Sequence, residues 1–158
     1  MALLEAAGVR LLADVRTIPR SRTNPQFNRD ALPSALEPHA IAYRHIPELG
    51  GLRKPRADST NTAWRNASFR GYADYMETAE FEEALASLLD AARDTPTAVM
   101  CAEAVPWRCH RSLIADALTA RGVTVVHLTG SGEKPRLSPH ELTEWARVEA
   151  QRVTYPGL

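Results

Sequence analysis

Residues 97–122 read "TAVMCAEAVPWRCHRSLIADALTARG". Their first five residues, 97–101, make a short apolar run of the kind a buried strand uses. From residue 111 onward, Leu113, Ile114, Ala117 and Leu118 fall on one helical face, and Gly122 supplies the stop. Strand, loop, helix is the repeating element of α/β architecture.

The same alternation appears on either side. "MALLEAAG" has helical character and ends in Gly8, and residues 9–15, "VRLLADV", read as a buried strand. "RDALPSALEPHA" predicts a short helix with Pro33 in its first turn and Pro38 at its end; residues 41–46, "IAYRHI", predict a second strand. Residues 47–71 carry no apolar period and form a loop of about two dozen residues, long enough to be a functional candidate. One amphipathic helix is predicted over residues 72–94, with Phe81, Leu85, Leu88 and Leu89 on its stripe. "VTVVHL", residues 123–128, predicts a fourth strand, and "TGSGEKPRL" a loop. A capping box of Ser138, Pro139 and Glu141 predicts a last helix over residues 138–150. Together these elements predict right-handed βαβ units in a single three-layer α/β domain over residues 1–158. Its sheet is mainly parallel, with about four strands.

Composition agrees. The chain has 158 residues, 44% hydrophobic and 24% charged, which suits one soluble globular domain. No apolar run is long enough for a bilayer, and no secretory signal opens the chain. Two cysteines do not make a disulfide framework, so a cytoplasmic protein with reduced thiols is expected. Formal net charge is zero, yet residues 16–70 hold ten Lys+Arg against four Asp+Glu. That imbalance points to an anionic partner, either a phosphorylated small molecule or a nucleic acid, and not to a membrane.

Parallel sheets bind ligands beyond the carboxyl ends of their strands. The segments leaving those ends hold the unusual residues. Cys101 ends a strand, while Cys109, His110 and Arg111 meet a helix N-terminus, whose N–H groups and partial charge lower a thiol pKa. Cys101, Glu103, Cys109 and His110 are therefore the catalytic candidates: a thiolate nucleophile with His110 or Glu103 for proton transfer. Asp14, Arg16, Arg20, Arg22, Gly50, Gly51, Arg53, Trp107, Arg108 and Arg111 are the candidates for anion or substrate binding, since arginine forks match phosphate and glycines admit close backbone approach. Other readings stay open. A Cys101–Cys109 disulfide is sterically reachable but out of place in a reducing cytosol. No cofactor is expected; a metal held by Cys101, Cys109 and His110 is the alternative, although the spacing is not that of common zinc sites. Buried structural roles for Cys101, and an ion pair between Asp14 and Arg16 or Arg111, are equally ordinary. An arginine six residues after either cysteine, as in phosphatase and rhodanese loops, is missing, since those positions are Trp107 and Ala115, so the loop chemistry of those families is not expected here. Trp64, with neighbouring arginines, fits either base stacking or a buried anchor, and Phe27 is expected in the core.

The segments "LLADVRTIPRSRTNPQFN", "LGGLRKPRADSTNTAWRNASFRGYADYM", "AVMCAEAVPWRCHRSLIADAL" and "VVHL" resemble the family catalogued as domain of unknown function 488. The resemblance spans nearly the whole chain and is most specific over residues 101–111. It implies a compact α/β domain and brings no established activity, only a loose association with DNA repair. Members usually begin with a strand resembling "TIGHS"; here the chain begins inside the following helix. Without that strand, a sheet edge is expected to be open or filled by a partner, a route to oligomers.

Three functions compete. The first is an enzyme acting on a phosphate-containing substrate, nucleotide or nucleic acid. The second is a non-catalytic nucleic-acid-binding module, and the third a metal-bound structural or redox protein.

Overall fold

The computed structural model describes residues 1–102 and 109–157. Its centre is a three-stranded parallel sheet: β1 (Leu11–Asp14), β2 (Ala42–His45) and β3 (Thr97–Met100), in the order β2-β1-β3. All four residues of β1 are buried, as the run "LLAD" at the middle of a parallel sheet requires. Register places Leu12 beside Tyr43 and Ala98, and Ala13 beside Arg44 and Val99. Successive side chains leave opposite faces. Accordingly, Leu12, Tyr43, Ala98 and Met100 join one apolar cluster, while Ala13, Val15 and Val99 join another.

The smaller cluster is closed by α1 (Ala2–Ala6) and α2 (Leu32–Leu36), through Leu4, Leu32 and Leu36. Gly8 leaves α1 at φ +72°, the left-handed turn that an L side chain disfavours. The larger cluster is closed by α3 (Ala67–Tyr75), α4 (Ala79–Ala92) and α5 (Arg111–Ala120), through Tyr72, Phe81, Leu85, Leu113 and Ile114. The helix expected over residues 72–94 is two helices. Thr78 breaks it with extended backbone and caps the Phe81 N–H at 3.3 Å. Likewise the long loop ends early, because Asn66 caps the Ser68 and Phe69 N–H groups and starts α3.

The C-terminal part departs from expectation. The predicted fourth strand does not join the parallel sheet: β4 (Val126–Ser131) pairs antiparallel with β5 (Lys134–Pro139). Gly132, at φ +59°, is the first of two turn residues, where a tight hairpin needs positive φ. The predicted helix over residues 138–150 is absent, and Ser138 and Pro139 lie in β5. Two short strands, β6 (Arg147–Glu149) and β7 (Arg152–Thr154), form a second hairpin. The cause is a competing network. Fully buried Asp116 on α5 accepts from His140, from the Thr143 backbone and hydroxyl, and from the Tyr155 hydroxyl. Those bonds, with Val125 O accepting from His140 N, outweigh a local capping signal. Among the described residues, no helix is long and apolar enough to cross a membrane.

Candidate functional site at the carboxyl edge of the sheet

Chains leaving β1 and β3 and entering α5 meet at one rim. Val15 continues from β1 and donates its N–H to Met100 O. Its own carbonyl faces Nε2 of His110 at 3.3 Å. A carbonyl can only accept, so Nε2 carries the proton and Nδ1 presents its lone pair. That lone pair faces Cys109 Sγ, 3.6 Å away. The Arg111 backbone N–H, at the start of α5, donates to the same sulfur at 3.4 Å. Cys109 is thus buried between a base and a donor.

Cys101, just past β3, meets Cys109 sulfur to sulfur as a disulfide pair, with Cα atoms 7.2 Å apart. Reducing surroundings had argued against this pairing from sequence. The fold supplies the proximity: the end of β3 and the entry to α5 face each other at the rim.

The segment after β2 lies across the rim. Tyr72 and Tyr75 of α3 donate to the carbonyls of Leu49 (2.7 Å) and Glu48 (2.6 Å). Thr17 Oγ1 donates to Gly51 O at 2.9 Å. Gly50 packs so closely on Thr17 that no side chain fits there, and a Cβ on Gly51 would stand 3.1 Å from His110 Nδ1. Between these straps, Leu52 is 77% exposed at φ +62°, an uncommon conformation for a leucine. Arg53 lays its guanidinium over the Tyr75 ring, 3.7 Å from the centroid, and donates to Gly50 O. Tyr72 and His110 rings lie 4.8 Å apart.

Burial pushes the His110 pKa below the ordinary histidine value. The carbonyls of Val15 and Leu49 oppose this, while the charges of Arg111 and Arg53 add to it. His110 is therefore neutral at pH 7. Were the disulfide reduced, the freed Cys109 sulfur would face the Arg111 N–H.

Asp14 and Arg16 end at the same edge but are engaged with each other. Arg16 Nη2 lies 2.7 Å from Asp14 Oδ2 and donates to Phe27 O at 2.6 Å; Tyr43 donates to Asp14 at 2.6 Å. Burial pushes the Asp14 carboxyl up, yet the hydrogen bonds from Arg16 and Tyr43 outweigh it and hold it below the usual range. Arg20 and Arg22 are exposed in the loop beyond. Phe27, expected in the core, is 46% exposed, because its segment is tied down by its carbonyl rather than by its ring. Trp64 packs edge-on against Phe69, Trp145 and Tyr155 as an anchor. Glu103, Trp107 and Arg108 lie outside the described residues. Among the described residues, no group of three or more His, Cys, Asp or Glu is arranged to hold a metal ion.

The structure thus brings together Cys101, Cys109, His110, Arg111, Gly50, Gly51 and Arg53. Tyr72, Tyr75 and Thr17 are the participants that sequence reasoning passed over. The tyrosines read as core, but a buried tyrosine hydroxyl needs an acceptor, and that requirement was a usable signal.

A family model described as "Domain of unknown function DUF488" matches residues 1–118. No curated protein and no solved structure matches the chain.

Proposed function

Taking as premise that the chain belongs to the DUF488 family, we propose that it is a cysteine-dependent enzyme acting on a phosphate-bearing substrate. The observation that carries this reading is the position of Cys109 Sγ between His110 Nδ1 and the Arg111 N–H. The excess of arginine over residues 16–70 favours an anionic substrate. The charges of Arg111 and Arg53 act on the sulfur's histidine, and Arg20 and Arg22 are exposed, so a nucleic acid is one form the substrate could take. We read the scaffold as a three-layer domain.

After reduction of the Cys101–Cys109 pair, His110 Nδ1 takes the Cys109 proton. The thiolate attacks phosphorus, an S–P bond forms and the ester P–O bond breaks. The leaving oxygen collects the proton from His110. Water then attacks phosphorus, the S–P bond breaks, phosphate leaves and the thiol is restored.

The test is turnover of phosphate esters by the reduced protein, with p-nitrophenyl phosphate, nucleoside phosphates and a single-stranded oligonucleotide as substrates. Cys109→Ser should abolish turnover and Cys101→Ser should retain it. Equal activity in Cys109→Ser would refute the reading.

The sulfur contact itself favours a second reading, a dithiol–disulfide redox protein with Cys109 as attacking and Cys101 as resolving thiol. Reversible exchange with glutathione disulfide, without ester turnover, would select it.

A further inference from the structure

One edge of the parallel sheet is β2. Its Ala42 N–H donates to Arg10 O, and the Ile46 N–H just beyond it donates to Asp14 O, both at 2.8 Å. Residues that bond inward alternate along a strand with residues whose N–H and C=O point outward. The backbone groups of Tyr43 and His45 therefore point away from β1. Among the described residues, no hydrogen-bond partner meets them. The open stretch is bounded at both ends: the Ile41 N–H is taken by Leu36 O at 3.3 Å, and Pro47 has no N–H to give.

A cleft flanks this edge on each face of the sheet. Arg44 donates to Ser87 Oγ at 2.9 Å, which puts its side chain on the α4 face. There a cleft of about 330 Å³ is lined by Arg44, Glu48, Glu80, Glu83 and Ser87. Its three carboxylates outnumber its one guanidinium. The His45 ring also borders it and turns Nε2 to Arg16 O. On the other face Tyr43 packs with Leu32 and Leu36 of α2. There a cleft of about 520 Å³ is lined by Pro33, Ala40, Ile41 and Tyr43, with Glu37 as its one carboxylate.

We propose that the β2 edge is a docking site for an extended peptide segment of a partner protein. The segment adds a strand to the sheet, with a lysine or arginine in the α4 cleft and an apolar side chain in the α2 cleft. Successive side chains of a strand leave opposite faces, so the segment alternates basic and apolar residues. Backbone bonds to Tyr43 and His45 hold it, and the two clefts select it. A second copy of this chain is a poorer occupant. Antiparallel pairing of two β2 edges about a two-fold axis sets both α4 clefts on one face, acidic beside acidic. The inference stands independently of the cysteine reading.

The test titrates the ¹⁵N-labelled full chain with a blocked peptide of alternating valine and lysine. We expect saturable shifts of the Tyr43 and His45 amide signals and slower hydrogen exchange at both. A valine–glutamate peptide should not bind. The double variant Glu80→Lys, Glu83→Lys should weaken binding about tenfold; both glutamates are exposed, so the core is left intact. Of two peptides methylated on the backbone nitrogens of either the valines or the lysines, the one methylated on the side facing β2 should lose binding. These peptide controls need no protein variant. Absence of saturable shifts, or equal binding by both methylated peptides and their parent, overturns the proposal. So does protection of both amides that rises with protein concentration alone, which would give the edge to a second copy.

Discussion

Gly51 and His110 are neighbours in space although 59 positions apart in sequence, and a methyl group at residue 51 would stand 3.1 Å from the imidazole Nδ1. That nitrogen is the one facing Cys109. Gly51→Ala should therefore push the ring by a few tenths of an ångström and slow Cys109 alkylation about tenfold, while stability changes by less than about 1.5 kcal/mol. Equal alkylation rates for the variant and the parent would show that the ring does not depend on this contact.

Gly71 gives a prediction of unusual sign. A mid-helix Gly→Ala change ordinarily stabilises by about 1 kcal/mol. In α3, however, a Cβ at residue 71 would collide with the Arg53 backbone carbonyl. Gly71→Ala should instead destabilise by about 1–3 kcal/mol, read as a lower urea midpoint. A raised midpoint would mean that α3 and the residue 53 segment are not packed as described.

The Asp14–Arg16 pair should be structural. Asp14→Ala leaves Arg16, only 7% exposed, with no carboxylate and should cost about 3–5 kcal/mol. Tyr43→Phe removes one bond to Asp14 and should cost about 1 kcal/mol. Chemical denaturation of both variants checks the ranking; an Asp14→Ala protein as stable as the parent would contradict it.

Stability should fall in acid in two stages. His110 and His127 have folded pKa values below the ordinary 6.5, so between their folded values and 6.5 the unfolded chain binds more protons. Their contribution is complete above pH 6.5 and is lost as pH falls through the folded values. Asp14 and Asp74, also lowered from 3.8, lose theirs as pH falls through still lower folded values. Thermal melts from pH 8 to pH 3 should show a first decline below about 6.5; a midpoint that rises on acidification from pH 7 to 5 would contradict the histidine burial.

The parallel sheet was legible because "LLAD", "AYRH" and "TAVM" are short runs set between helical periods, and crossover rules then bring their carboxyl ends together. The C-terminal part was not. "SPHE" carries a genuine local capping signal, but Asp116, more than twenty residues upstream, holds His140 and Thr143 in another conformation. Only tertiary packing decides between them. Cys109, His110 and Arg111 were visible as a cluster, whereas the orientation of His110 depends on the Val15 carbonyl, which no side-chain pattern reveals. Arg16 looked like an anion ligand; its burial against Asp14 follows from the position of Asp14 at the end of a fully buried strand.

Most direct of all is the alkylation rate of each cysteine in the reduced protein, followed by peptide mass spectrometry with iodoacetamide between pH 5 and 9. A thiolate stabilised by the Arg111 N–H with His110 as proton acceptor should make Cys109 react at least about tenfold faster than free cysteine at pH 6. His110→Gln should remove most of that advantage. If Cys109 reacts no faster than free cysteine at every pH, His110 and α5 do not activate it, and the thiol is not the nucleophile of this protein.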